Sequence, residues 1–189
     1  MSQVKLDRRV KYTKYALQEA ALDLLEDYPI SKVSVSMLCK TADVNRSTFY
    51  DHYENTPQLV EKMQLEAMEN LKNYIMAHAE PYTEITLQKT MVQILTYVAA
   101  NDRRFRILLG KNVGWDFNGM MRELLHTELS AIMSPALLKD KSRMEYITVF
   151  SVSGGTNVIR HWLENGLKES PMQMAKIVTK MLQHSIDMV

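Results

Sequence analysis

Residues 34–53 read SVSMLCKTADVNRSTFYDHY, a stretch that contains the pattern of two short helices joined by a tight connection. Ser34 and Asn45 are residue types that cap the free N–H groups at the start of a helix, so each predicts a helix that begins directly after it. Small or apolar residues recur at helical spacing in the first of these helices, at Val35, Leu38, Cys39 and Ala42. The spacing predicts a helix-turn-helix.

The second helix of such a motif lies in the major groove of DNA, while the first braces it. Here Val44, Phe49 and Tyr53 supply an apolar side that docks the second helix, and Cys39 with Ala42 allows the two helices to cross closely. The polar side chains left facing outward are Arg46, Ser47, Thr48 and Tyr50. They can reach base edges and phosphates, and the helix starts at Ser34 and Asn45 offer further N–H groups to phosphate. The pattern alone leaves a solvated, mixed-charge surface as the alternative.

Composition favours an all-helical globular protein. The chain has 189 residues, of which 46% are hydrophobic and 24% charged, with only 6 glycines and 5 prolines. No stretch has the ~18 consecutive apolar residues of a membrane span, and the N-terminus has no apolar segment typical of a secretory signal. The single cysteine, Cys39, forms no internal disulfide, so we expect a cytoplasmic protein in which this thiol is buried and structural.

The basic residues are concentrated in two stretches of the chain. The formal net charge is only +1, yet residues 1–15 carry five basic side chains against Asp7, and residues 29–50 carry three against Asp43. A polyanionic partner is attracted by a local basic patch more than by the total charge of the chain.

Apolar periodicity predicts about nine helices and no strand pair. The first helix ends before Pro29, and Thr56 with Pro57 predicts a new helix start, with Thr56 as its cap. The last helix opens with the capping box Ser170-Pro171-Met172-Gln173. We therefore predict a three-helix DNA-binding domain over residues 1–55 and a helical domain over residues 56–189.

The stretch from Ala16 to Leu59 resembles the N-terminal domain of TetR-family transcriptional regulators. The resemblance is carried by Ala20-Ala21-Leu22, Met37-Leu38-Cys39, Ala42-Asp43-Val44-Asn45 and the run from Ser47 to Tyr53. It implies a homodimer on double-stranded DNA with a palindromic operator, in which Thr48 approaches a base or phosphate. Tyr50 and His52 would contact the DNA backbone.

Two positions depart from the family pattern. Asp43 stands where glycine is usual at the turn, and aspartate tolerates the left-handed conformation better than most residues. Thr56 stands where a phosphate-contacting lysine is usual, which removes one expected charge contact. The departure at Thr56 therefore predicts either a lower affinity for DNA or a greater dependence on the basic N-terminal arm.

The C-terminal part is similar to a TetR subgroup that includes regulators of dihydroxyacetone-kinase operons. The similarity lies in residues 153–156, 160–166 and Ser170-Pro171, and it implies no particular ligand. Candidate residues for an effector pocket or interface are Trp115, Phe117, Arg160 and Trp162. Gly154-Gly155 indicates a close helix approach or a kink, and the family implies a dimer interface from residues 142–165 and 170–188.

The family resemblance implies a repressor that is relieved by a small-molecule or protein effector bound in the C-terminal domain. Activation stays open, and so does an alternative function as a co-regulator whose C-terminal domain binds a partner protein. The sequence has no Gly-rich phosphate loop, no metal-ligand cluster and no Ser/His/Asp arrangement with supporting motifs. We therefore expect no enzymatic activity, no metal site, no cofactor and no membrane contact.

Overall fold

The computed structural model describes residues 3–77, 84–113 and 141–187, and the regular structure in these ranges is entirely helical. It comprises eight α-helices and the 3₁₀ turn Ile30–Lys32. The helices are α1 (Gln3–Asp27), α2 (Val35–Ala42), α3 (Arg46–Tyr50), α4 (Thr56–Ala77), α5 (Glu84–Ala100), α6 (Asp102–Leu108), α7 (Lys141–Glu164) and α8 (Pro171–Asp187). The prediction of an all-helical fold is confirmed.

The chain forms two compact units. The first contains residues 1–68 together with residues 107–114, and the second contains residues 69–106 and 115–189. None of the described helices is both long enough and apolar enough to cross a membrane.

In the first unit, α1 packs on α2 through small and branched apolar side chains. The buried residues of α1 are Leu17, Ala20, Ala21, Leu22 and Leu25. Asn112 holds the C-terminal end of the helix, since its Nδ2 donates to the carbonyl oxygen of Leu25 over 2.9 Å. The carbonyl oxygen of Asn112 accepts in turn from the N–H of Ile30 at 2.8 Å. Main-chain groups left free by the end of α1 thus find partners far along the sequence.

The start of α4 differs from the prediction in its cap. Asn55, not Thr56, is the capping residue, because its Oδ1 accepts from the N–H of Gln58 at 2.9 Å. Gln58 completes a reciprocal pair, with its Oε1 accepting from the N–H of Glu54 at 2.8 Å. Thr56 is instead buried, with 4% of its side chain exposed. The carboxamide of Asn55 already fills the capping position, so Thr56 is free to pack inward.

In the second unit, α8 packs against α5 and α7. The predicted capping box at its start is confirmed: the N–H of Gln173 donates to Ser170 Oγ at 3.3 Å, and Gln173 Oε1 accepts from the N–H of Ser170 at 2.9 Å. The connection before it turns through Gly166 and Leu167, both at positive φ. The face of α8 that packs inward carries Met174, Ala175, Val178 and Leu182, all buried.

Candidate nucleic-acid interface

The turn between α2 and α3 has the geometry that the sequence predicts. Ser34 Oγ accepts from the N–H of Met37 at 3.2 Å and caps α2. Asp43 ends α2 in the left-handed conformation, with φ 52° and ψ 47°. The N–H of Val44 then donates to the carbonyl oxygen of Cys39 at 2.9 Å. Aspartate therefore makes the turn for which the family usually has glycine.

The inner side of α3 is apolar and buried. Phe49 is fully buried and Tyr53 is 3% exposed, and their ring centroids lie 5.7 Å apart. Across the motif, Leu38 and Cys39 of α2 are buried too. Burial raises the pKa of the Cys39 thiol, with a smaller opposing effect from Arg46. These residues hold the orientation of α3 in the way expected of a helix-turn-helix core.

The outer side of α3 is polar. Arg46, Ser47 and Tyr50 are exposed, while Thr48 and His52 are half-buried. A hydrogen bond with Tyr50, one helical turn further on, raises the pKa of Arg46. The structure therefore places Arg46, Ser47, Thr48 and Tyr50 on one short helix, with the guanidinium of Arg46 beside the phenol of Tyr50, while His52 follows two residues after the end of that helix.

The two helix starts differ in how their capping residues are used. The hydroxyl of Ser34 is engaged in its own cap. Asn45 occupies the capping position of α3 but makes no side-chain cap hydrogen bond, and it is exposed. The carboxamide of Asn45 is therefore not used in the cap of α3.

Sequence reasoning missed Lys62, on the second turn of α4. Its Nζ donates to the carbonyl oxygen of His52 at 3.1 Å and lies 5.1 Å from the centroid of the Tyr53 ring. The ammonium group of Lys62 therefore contacts the segment that follows α3. No local sequence pattern identifies Lys62 as part of this site, because the contact joins residues ten positions apart across a turn.

The residues predicted for an effector pocket do not come together in the described part of the chain. Trp162 is 2% exposed, and its Nε1 donates to the carbonyl oxygen of Glu169 at 3.0 Å. Arg160 is half-buried, and its Nη2 donates to Asn157 Oδ1 at 2.6 Å. Trp115 and Phe117 lie outside the described residues. Their assignment to an effector site stays a prediction.

Helices α7 and α8 share an apolar face that nothing in the described chain covers. Tyr146 is 74% exposed, Phe150 66% and Met181 55%. They line a groove of about 650 Å³ together with Gly154 and Gly155. A Cβ built on either glycine would meet no atom within 4 Å. The close approach expected at these glycines is therefore not made by the described parts of this chain.

In the described ranges, no three His, Cys, Asp or Glu side chains are placed so that they could hold a metal ion. The polar chemistry of α3 is hydrogen bonding and positive charge, which suits recognition of a nucleic acid.

Two family models match the chain. The model described as bacterial regulatory proteins, tetR family, matches residues 17–63, which include the helix-turn-helix. The model described as transcriptional regulator C-terminal region matches residues 85–184, more than half of the chain.

Individual relatives agree with these matches. A regulator from Streptococcus agalactiae 2603V described as TetR is similar in fold, with a TM-score of 0.68 and 21% identity over 96% of this chain and 99% of that one. The dihydroxyacetone kinase operon activator DhaS has a TM-score of 0.57 and 16% identity, with 93% and 97% of the two chains covered.

In sequence, the uncharacterized HTH-type transcriptional regulator YxbF of Bacillus subtilis (strain 168) is 40% identical over 60 residues. That match spans 31% of this chain but only 16% of YxbF. The helix-turn-helix geometry and the two family matches, which together reach from residue 17 to residue 184, show that the chain belongs to the TetR family of bacterial transcriptional regulators.

Proposed function

We propose that the protein is a sequence-specific DNA-binding regulator that works as a homodimer, with α3 as the helix that enters the major groove. The observation that carries the proposal is the two-sided character of α3. Phe49 and Tyr53 anchor it from within, and Arg46, Ser47 and Tyr50 are exposed on its other side. An arginine held in this way can donate two hydrogen bonds to a guanine edge, and a tyrosine hydroxyl can donate to a phosphate.

The apolar face of α7 and α8 supports the dimer. An exposed apolar patch of this kind on a protein marks an interaction surface. A second copy would cover it with the same face, as in an isologous interface with two-fold symmetry. The open space over Gly154 and Gly155 allows a partner helix to come close. Residues 142–165 and 170–188 are thus proposed to form the interface, and residue 188 lies outside the described range.

A two-fold dimer carries two copies of α3, so it fits a palindromic operator with half-sites about 34 Å apart or a multiple of this distance. We propose repression as the effect of binding, relieved by an effector in the C-terminal domain that favours a different separation of the two α3 helices. The name of DhaS, an activator, supports activation as the alternative sign of regulation. The family and the helical second unit support an effector domain.

The test is titration of the purified protein against a duplex from the promoter region of its own gene, at two salt concentrations. Binding should weaken steeply with salt, because phosphate contacts release counterions. A Tyr50→Ala, His52→Ala double variant should lose binding while keeping its helical circular dichroism.

The matched control is a Tyr28→Ala, Met76→Ala double variant, in which both replaced side chains are exposed and lie outside α2, α3 and the proposed dimer interface. It should bind as the wild type does. A folded dimer that binds no DNA would contradict the proposal and favour the co-regulator whose C-terminal domain binds a partner protein.

A further inference from the structure

The uncovered apolar face of α7 and α8 contains a histidine. The groove on this face is lined mainly by apolar side chains, and the titratable residues among its described lining are His184 and Tyr146. His184 is exposed in the single chain. Of these two residue types, only histidine ordinarily changes its charge between pH 5 and 8. The charge of this face therefore depends on pH through the imidazole of His184.

One nitrogen of this imidazole is already hydrogen-bonded. His184 Nδ1 lies 2.8 Å from the carbonyl oxygen of Lys180, one helical turn earlier. A carbonyl oxygen can only accept a hydrogen bond, so Nδ1 carries a proton in both charge states. Nε2 is therefore the atom that gains a proton as the pH falls. Protonation keeps the bond to Lys180 and changes the charge of the ring, with Nε2 turning from an acceptor into a donor.

The single chain tolerates a positive charge on His184. Because the residue is exposed, water can solvate the imidazolium. The residue also lies in the last turn of α8, where the helix dipole favours a cation. Protonation of the ring therefore costs the isolated chain little free energy.

Few charged groups lie on the helices around His184. On its own helix, Lys180 is exposed one turn earlier, and Asp187 follows three residues later in the sequence. On α7, Tyr146 lines the same groove, and the exposed Glu145 precedes it. Helix α5, which also packs against α8, contributes no described residue to the lining. The described lining of the groove therefore offers no carboxylate to an imidazolium.

A second copy of the chain would reverse the preference for the charged ring. The proposed interface covers this face with its own apolar side chains, among them Phe150 and Met181, which are 66% and 55% exposed in the single chain. Covering them removes water from the groove, and an unpaired charge in apolar surroundings is strongly disfavoured. An interface with two-fold symmetry contains His184 twice, so each dimer would bury two such charges.

We propose that protonation of His184 dissociates the dimer and thereby releases the operator, which makes the proton an effector of this regulator. The proposal rests on the dimer interface and the DNA-binding function proposed above. A single copy of α3 reads one half-site, so dissociation lowers the affinity for a palindromic operator. Acidification then acts on the oligomeric state and leaves the helix-turn-helix itself unchanged.

The test is the dissociation constant of the dimer at pH 7.5 and pH 5.5, measured by sedimentation velocity over a range of concentrations without DNA. A histidine with the ordinary pKa of about 6.5 is about 10% protonated at the higher pH and about 90% at the lower one. Exclusion of the charged ring from the interface then raises the dissociation constant about 10-fold for each histidine. With two histidines per dimer, we expect a rise of about 10- to 100-fold at pH 5.5.

Three variants assign this effect to His184. His184→Gln has no titratable group and keeps a good helix propensity, so its dimer should be equally stable at both pH values. His184→Lys carries a charge at both pH values and should weaken the dimer at pH 7.5 by at least about 10-fold. Met172→Lys is the matched control, because it adds the same charge to α8 at an exposed side chain outside the described groove lining. Its dimer should be as stable as that of the wild type.

An unchanged dissociation constant of the wild type at pH 5.5, or an equal rise in His184→Gln, would overturn the proposal. So would a His184→Lys dimer as stable as the Met172→Lys dimer. Phe150→Glu separates these results from a failure of the proposed interface. If Phe150→Glu dissociates and the pH has no effect, the interface stands and the role of His184 is wrong. A dimeric Phe150→Glu, or a monomeric wild type, contradicts the interface and the proposal together. A failure to bind DNA would contradict the proposed function and leave the pH dependence of the dimer measurable.

Discussion

The side chain of Lys62 ties α4 to the end of α3, because its Nζ donates to the carbonyl oxygen of His52 at 3.1 Å. The same ammonium lies 5.1 Å from the centroid of the Tyr53 ring, within the range of a cation–π contact. Tyr53 itself packs against Phe49, with ring centroids 5.7 Å apart. The position of the recognition helix thus depends on a residue outside the helix-turn-helix.

Replacing Lys62 with methionine should remove this tie while keeping an unbranched apolar stem. We expect the free energy of unfolding to fall by about 0.5–1 kcal/mol, the usual size of an exposed cation–π contact. Operator affinity should fall as well, since α3 would be held less firmly. Urea unfolding and DNA titration measure the two effects. Lys72→Met, at an exposed position of the same helix, is the control; an equal effect of both changes would contradict the expectation.

The two capping positions of the helix-turn-helix should respond differently to alanine. Ser34→Ala removes the hydrogen bond to the N–H of Met37 and should cost about 1 kcal/mol of stability. Asn45→Ala removes no side-chain cap bond, so its stability should change by less than about 0.5 kcal/mol while DNA binding weakens. Chemical denaturation compares the two variants. A larger loss of stability for Asn45→Ala than for Ser34→Ala would contradict the prediction.

The left-handed turn predicts the order of stability among variants at position 43. Asp43 has φ 52°, so Asp43→Gly should retain the stability of the wild type or raise it slightly. A β-branched side chain is strained in this region, and Asp43→Val should lower the free energy of unfolding by about 1–2 kcal/mol. Thermal and urea unfolding give the order. A valine variant as stable as the glycine variant would show that the turn adopts another conformation.

The apolar face of α7 and α8 predicts the oligomeric state. Phe150→Glu places a charge on the proposed interface, and it should weaken the dimer about 30-fold or more, equivalent to about 2 kcal/mol. Sedimentation velocity over a range of concentrations measures this effect. Met76→Glu changes a similarly exposed side chain on α4, 65% against 66%, and should leave the dimer intact. Two variants that dissociate alike, or that both remain dimeric, would exclude this face as the interface.

The burial of Cys39, the single cysteine of the sequence, predicts how readily its thiol reacts. Burial raises its pKa, and thiolate is the reactive form, so the native protein should react slowly with a thiol reagent at pH 8 and rapidly once unfolded in urea. Because the folded state holds the proton more tightly, this group contributes less stability as the pH rises above about 8.5, the usual pKa of an unfolded thiol.

Cys39→Ala lacks that group, so its free energy of unfolding should fall less than that of the wild type between pH 7.5 and 9.5. Rapid reaction of the native thiol, or an equal pH dependence of stability in both proteins, would contradict the prediction that the Cys39 thiol is buried with a raised pKa.

Local interactions explain what could be predicted from the sequence. The cap at Ser34, the left-handed turn at Asp43 and the capping box from Ser170 to Gln173 each join residues no more than five positions apart. The bonding groups and the backbone preferences are then contained in one short stretch of chain. The same holds for the polar and apolar sides of α3, which follow from helical spacing alone. The error at Thr56 arose where two adjacent residues, Asn55 and Thr56, could both cap a helix.

Contacts between distant residues depended on the tertiary structure. The sequence by itself determined the helices, their caps and the polar face of α3, because these depend on neighbours within a turn or two. Only the path of the chain decided that Asn112 meets the end of α1, that Trp162 is buried, and that α7 and α8 leave Phe150 exposed. An apolar side chain at helical spacing has the same pattern whether it faces the core or a partner. Which of the two it faces is set by what the rest of the fold packs against it.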